Sequence, residues 1–451
     1  MNRWSVHVKQ FGKIEEATVE VAPMTLFIGD NNSGKSYMMT LIYGLLNMQF
    51  FFGGYDFDTE SENFQRCWNI LERMIDGEQD HDYILSEQEL VFFEALINEM
   101  LANQKNREKF LHKLFNRDME MEELTITFPK DLELRFRVAY ILNEKGMGRR
   151  ILIKGISNDE TLLVGYQIDE QELQHGNGGA CFLISYIMEQ MLQWEIDKEV
   201  VKTRVYLPTT RTGFLLTYKT LIGNALQEKF TTEKTTKNLL TKPNSDFLQK
   251  LSGINATEEK KRFQSVVDFI EEHVITGHVS VLDSPAQDLL YTPEGTDKKL
   301  PLYITSGVVT EMTPLLLFLK YTDLGALLME EPEISLHPQL QWQVTRVLIR
   351  LVNMGVPVFV TTHSDIILQH INNMIKANEM SEQEVFLEES DYEQEDLLSR
   401  NQINVYQFDV QANQKTRIRK LPCGDYGFEA ATFYDTLKNL NEEIERIENE
   451  G

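Results

Sequence analysis

Eight consecutive residues, Gly29-Asp30-Asn31-Asn32-Ser33-Gly34-Lys35-Ser36, match the pattern G-x-x-x-x-G-K-[ST] in full. The pattern belongs to phosphate chemistry. Such a loop turns successive backbone N–H groups inward, and the helix that follows adds the positive end of its dipole, so an anion is surrounded by donors. Lys35 is then expected to reach the β- and γ-phosphates of a nucleotide, and the Ser36 hydroxyl to ligate Mg²⁺.

A phosphate loop needs an acid nearby to hold the metal and orient water. Ala326-Leu327-Leu328-Met329-Glu330-Glu331 offers four apolar residues followed by two carboxylates. Glu330 is expected near the metal through a water, and Glu331 as the base that polarises the attacking water; the plain alternative is a solvated loop start. Further along, Pro357-Val358-Phe359-Val360-Thr361-Thr362-His363-Ser364 ends a buried-type strand in polar residues. Ligands of open α/β sheets sit at the carboxyl ends of strands, so His363 is expected to hydrogen-bond the γ-phosphate or the water. Thr305-Ser306-Gly307 precedes an apolar helix from about residue 308. Ser306 and Gly307 at that helix start can bind an anion or serve as an ordinary N-cap.

The elements that must position these residues are legible in outline. Three short strands, in WSVHVKQF, ATVEVA and MTLFI, lead into the loop, and an apolar helix leaves it. Residues 60–118 read as a helical insertion, 122–155 return to strand-like alternation, and a third helical block covers about 182–200. The strand VKTRVYLP, a helical and charged stretch 215–275 with a polar loop TTEKTTKNLLTKPNSD, and strand-like HVSVLD and PLYIT follow. From about 308 the order helix, strand ALLME, helix 338–353, strand PVFVTT is a β-α-β alternation, which implies parallel strands. The acidic stretch 379–396 holds nine carboxylates and no Lys or Arg. It is either a solvated face or a docking segment for a partner. An acidic helix is expected within 425–448.

The 451 residues exceed one simple core, which suggests two lobes or a nucleotide-binding domain with a large insertion. A net charge of −26 argues against a surface broadly attractive to DNA, although a local basic groove is compatible with it. Cys67, Cys181 and Cys423 are far apart and lack zinc-site spacing, as in a reducing cytoplasm. No signal peptide or membrane-length apolar run is present, so a cytoplasmic, membrane-free protein is expected.

In this order, GDNNSGKS, TSGVVTEMTPLLLFLK, LLMEEPEISLHPQ and TTHSD resemble the ABC-type ATPase heads of the SMC, RecF and OLD (overcoming lysogenisation defect) group. They are most similar to OLD-like AAA ATPases of bacterial defence systems. YLPTTRTG, residues 206–213, also resembles a motif of this group. The resemblance spans residues 1–60 and 200–375 well and the inserted helices weakly. It implies an α/β P-loop NTPase fold, an ABC-ATPase head with a mixed β-sheet and a helical insertion. The expected parts are 1–59 and 201–375 as the head, 60–200 as the insertion, and 376–451 as an acidic segment with an α/β cap.

It further implies an ATP- and Mg²⁺-dependent enzyme working as a head-to-head dimer or higher oligomer. Ser306 and Gly307 of one copy would complete the other copy's P-loop site, and Leu336-His337-Pro338 would lie in the loop crossing the interface. Arg211 would contact nucleotide or interface, or form a buried ion pair. The signature reads SGVVTE rather than LSGGQ, coiled-coil arms are absent, and the residues after the last motif are too few for a TOPRIM nuclease. The expected function is therefore a sensor or scaffold subunit controlling a separate nuclease or toxin in antiphage defence. The alternative is a RecF-like ATPase that clamps DNA.

Overall fold

The computed structural model describes residues 4–48, 57–77, 79–142, 149–156, 166–169, 177–192, 203–218, 220, 240–256, 259–282, 288–430, 442–443 and 446–447. The chain forms two compact units, Met1–Val21 with Thr40–Arg204, and Ala22–Met39 with Val205–Gly451.

In the first unit, Ser5–Phe11 and Ile14–Glu20 make an antiparallel hairpin, and Glu123–Thr127 pairs with the free side of the first strand. Val6 and Val8 alternate inward, as period-two patterning requires; Gln10, at φ 50°, interrupts the alternation, and Phe11 is the next buried residue. A second, antiparallel sheet runs in the order His81–Leu85, Leu134–Leu142, Arg149–Ile156, Tyr166–Asp169. The helices among the described residues are Glu62–Ile75, Glu87–Ala102, Gln104–Phe115 and Asn177–Leu192. Ser61 caps the first, which buries Phe64, Cys67, Ile70, Leu71 and Met74 at three- and four-residue spacing. A Ser86/Glu89 capping box starts the second.

The expected helical block 60–118 is thus three helices interrupted by a strand. His81–Leu85 is only five residues long with one buried side chain, so its own sequence carries little apolar signal. Pairing with Leu134–Leu142 makes it a strand.

The second unit holds the parallel sheet. Its strands are labelled β1 (Met24–Gly29), β2 (Thr203–Leu207), β3 (Leu324–Glu330), β4 (Val358–Thr362), β5 (Ile403–Val410) and β6 (Thr416–Lys420), in the spatial order β6-β5-β1-β4-β3-β2. The parallel pairs are β3 with β4, β4 with β1, and β5 with β1; β6 returns antiparallel to β5, so the sheet is mixed. All of Met24–Gly29 and Val358–Thr362 are buried. Continuous burial, not alternation, is what a parallel strand covered on both faces shows. The register Phe408↔Gly29, Thr362↔Ile28 and Glu330↔Thr361 brings four strand carboxyl ends to one edge.

Helix α1 (Lys35–Leu46) leaves β1, α2 (Gly307–Tyr321) precedes β3, α3 (Pro338–Asn353) connects β3 to β4, and α4 (Asp365–Asn378) follows β4. PLYIT is not one strand: Leu300–Pro301 pairs briefly and Leu302–Ile304 is a 3₁₀ turn. Within the stretch expected as a polar loop, Lys242–Ser252 is helical, started by Pro243 in its first turn. Residues 231–239 of that stretch, 193–200 of the helical block and 431–441 of the C-terminal helix lie outside the described residues.

The acidic stretch is only partly solvated. Asp396 is fully buried, with Oδ1 2.7 Å from Arg350 Nε and Oδ2 2.7 Å from Arg346 Nη2. Burial alone would raise its carboxyl pKa; bonds from the two guanidinium groups outweigh that and hold it below the usual range. Two arginines of α3 thus fix the segment that leads to β5.

Candidate active site

At the end of β1 the backbone must turn sharply. Gly29 has φ 135°, and a Cβ there would lie 2.4 Å from the Phe408 carbonyl oxygen of β5, so only glycine fits. Asn32 at φ 59° and Gly34 at φ 97° complete the curl. Lys35 begins α1 and is 5% exposed. Its ammonium donates to the Gly29 carbonyl at 2.8 Å, the Asp30 carbonyl at 2.7 Å and Ser33 Oγ at 3.4 Å. Asp30, Asn31, Asn32 and Ser36 are exposed and Ser33 is buried.

Burial lowers the Lys35 pKa to about 8, against the pull of Glu331, Asp30, Glu333 and Glu330. A bound phosphate adds negative charge and raises it again, so nucleotide binding takes up a proton near this pH. ATP affinity should therefore be level below pH 8 and fall, by up to about tenfold per unit, as pH rises beyond it. Calorimetry at pH 8.5 in buffers of different ionisation heat should show proton uptake of roughly half a proton or more. A flat affinity from pH 7 to 9.5 would count against this charge state.

Glu330 and Glu331 close β3 as expected, but they face different partners. Both oxygens of Glu330 are engaged: Oε1 accepts from Tyr206 Oη at 2.8 Å, and Oε2 from Thr209 N at 3.1 Å and Oγ1 at 3.0 Å. A Mg²⁺-bound water would use the remaining lone pairs of an anchored carboxylate. Glu331 has φ 43°, a left-handed conformation that is rare away from glycine and recurs at functional sites. Its N–H donates to the Thr361 carbonyl at 2.8 Å, and its Oε1 lies 3.7 Å from His363 Nε2. Burial, then Glu333 and Glu330, raises its pKa.

His363 follows β4. Burial and the Lys35 charge keep its pKa below the ordinary histidine value, opposed by Asp30 and a bond to the Gly29 backbone. A neutral imidazole there can accept or donate. The P-loop, Glu331 and His363 are therefore brought together at one sheet edge.

Glu333 has no assigned part in the sequence reading, yet it belongs to this cluster. Its Oε1 accepts from the His363 backbone N–H at 2.6 Å. Burial raises its pKa, opposed by that backbone bond. The signal was present in the spacing of EEPE, but loop carboxylates are usually solvated and only the fold turns this one inward. Gln341 was equally silent. From α3 it accepts from Ser364 Oγ at 2.5 Å and donates to the Leu336 carbonyl at 3.2 Å, joining the His363 loop to the loop after Glu331.

Ser306 caps α2, its Oγ accepting weakly from Val309 N at 3.5 Å. Ser306 and Gly307 are both exposed, and the nearest atoms to a Cβ at Gly307 would be those of the Ser335 side chain, 3.2 Å away. Arg211, by contrast, is 0% exposed. Its Nε pairs with Glu311 Oε2 at 2.7 Å and its other nitrogens donate to main-chain carbonyls, so the structure shows the buried ion pair.

The arrangement suits a nucleoside triphosphate with Mg²⁺. The curled loop and buried ammonium fit phosphates, and Mg²⁺ commonly needs only one or two protein oxygens beside the phosphates and water. Among the described residues no cluster of three or more His, Cys, Asp or Glu is arranged to hold a metal. Ser36 would ligate the ion, which supplies charge neutralisation at the phosphates. No described helix is long and apolar enough to cross a membrane.

A family model described as AAA ATPase domain matches residues 1–172 and 185–368, well over half of the chain. No curated protein matches it. Solved structures similar to it include the SMC head domain from Thermotoga maritima, at 11% identity over 94% of this chain and 100% of that chain, with a TM-score of 0.34. Another is the Smc head domain with an extended coiled coil from Pyrococcus furiosus, bound to the C-terminal domain of ScpA. It is 11% identical over 99% of this chain and 100% of that one, with a TM-score of 0.36.

Proposed function

The chain belongs to the AAA ATPase domain family, and from that premise we propose that its P-loop site works between two copies of the chain. It is a P-loop ATPase. ATP acts as the glue, Ser306 and Gly307 of one copy finish the phosphate shell of the other, and hydrolysis at Glu331 releases the pair. One observation carries this reading. Within a single chain the loop, Glu331 and His363 converge, whereas Ser306 and Gly307 stand exposed at a helix start beside Ser335 of the Glu331 loop.

The wider role we propose is an ATP-driven sensor or scaffold subunit that controls a separate effector, a nuclease or toxin, in antiphage defence. Support comes from the EEPEISLHP and TTHSD motifs, which resemble those of defence ATPases. The charge of −26 weighs against the DNA-clamp alternative.

Sedimentation of Glu331→Gln tests the assembly. With Mg-ATP it should run as a dimer or larger, and adding Ser306→Arg should return it to monomer. A monomer at saturating ATP overturns the shared site. For the role, phage plating on cells carrying the chain with its neighbouring genes should show protection that Lys35→Ala abolishes. No protection, with ATP-dependent and salt-sensitive DNA binding instead, would select the clamp.

A further inference from the structure

The segment Tyr206–Thr212 does more than follow a strand. Tyr206 and Thr209 grip the Glu330 carboxylate. Arg211, wholly buried, extends in two directions. Its Nη1 donates to the Glu330 carbonyl at 2.7 Å and the Pro208 carbonyl at 3.2 Å, and Nη2 to the Glu331 carbonyl at 3.1 Å. Its Nε meets Glu311 Oε2 at 2.7 Å, and Thr212 Oγ1 donates to Glu311 Oε1 at 2.6 Å. Glu311 is 4% exposed and lies on α2, little more than a turn beyond Ser306 and Gly307. One guanidinium thus joins the helix that presents the signature to the backbone of the base.

We propose that Arg211 is a positioning residue that ties the attitude of α2 to the backbone at Glu331, so that a nucleotide-loaded second copy seated on Ser306 and Gly307 is felt at the catalytic carboxylate. This rests on the shared-site reading. The Glu331 backbone is held in its left-handed conformation by the Thr361 carbonyl on one side and Arg211 on the other. A small rotation of α2 moves Glu311, and with it the planar fork that sets the Glu330–Glu331 carbonyls. Arginine suits the task because its donors are fixed in one plane and it stays charged when buried; lysine offers a point charge that cannot span the carbonyls and Glu311 together.

The test compares full-length Arg211→Lys and the milder Glu311→Gln, neither of which removes a group that touches nucleotide. Thermal melts establish that each folds. The dissociation constant of a fluorescent ATP analogue should stay within about twofold, while kcat falls by ten- to a hundredfold, as a misplaced base predicts. The Hill coefficient for ATP should drop to 1. A merely structural role predicts a lower melting temperature with kcat per folded molecule unchanged, and that result overturns the proposal. If Glu331→Gln stays monomeric with ATP, the shared site is lost for a different reason. The split between kcat and binding then decides the Arg211–Glu331 tie alone, with unchanged kcat overturning it.

Discussion

Replacing Glu331 with Gln should lower steady-state ATP turnover by about 10²- to 10⁴-fold, the range set by removing a positioned general base. Gln keeps the size and one acceptor oxygen but cannot take a proton from water. Its backbone contacts, the N–H to the Thr361 carbonyl and the carbonyl to Arg211, do not involve the side chain and persist. ATP binding should therefore stay within about threefold, because Lys35 and the loop still hold the phosphates. Phosphate release measured at saturating Mg-ATP checks the rate, and a filter or fluorescence titration checks affinity. Turnover within threefold of the parent would remove Glu331 from the role. The parent's pH profile gives a companion signature. Because burial and the neighbouring Glu333 and Glu330 raise the Glu331 pKa in the nucleotide-free chain, the carboxylate is lost earlier as pH falls, so the acid limb of kcat/KM lies above the ordinary glutamate range.

The second large effect is on binding. Lys35→Ala should weaken ATP by roughly tenfold to a hundredfold, since charge-assisted bonds to phosphate are worth about 1.5–3 kcal/mol. Removing the ammonium also leaves the Gly29 and Asp30 carbonyls, now 2.8 and 2.7 Å from Nζ, without that donor, and the loop loses its cation. An unchanged dissociation constant would refute the phosphate-cradle geometry. The two variants separate cleanly: one binds and does not turn over, the other fails before chemistry begins.

Much of this site could be read from the residues because its parts are local. A strand, eight loop residues and a helix define the cradle within one stretch of sequence, and continuous apolar runs before Glu330 and His363 mark buried parallel strands. What stayed hidden depends on long-range partners. Nothing around Glu333 says that its carboxylate accepts the His363 amide thirty residues away, and nothing around Arg211 chooses Glu311 over a phosphate. The strand His81–Leu85 was missed for the same reason, since pairing rather than its own pattern makes it a strand. The acidic run 379–396 misled by composition: it looks uniformly solvated, yet the two arginines that bury Asp396 lie on α3, far back in the chain.

The contact between Gly29 and Phe408 bears on how the molecule is made. The motifs end near residue 364, but the P-loop strand is flanked on one side by β5, whose Ile403–Phe408 pairs along Met24–Gly29. During synthesis the ribosome delivers the loop early and its supporting strand late. Until residue 408 emerges, β1 has an unpaired side of apolar backbone, and the turn at Gly29 lacks the carbonyl it is moulded against. A nascent chain therefore carries every catalytic letter before it carries a finished cradle. A fragment trimmed to the motifs alone would inherit that same exposed seam.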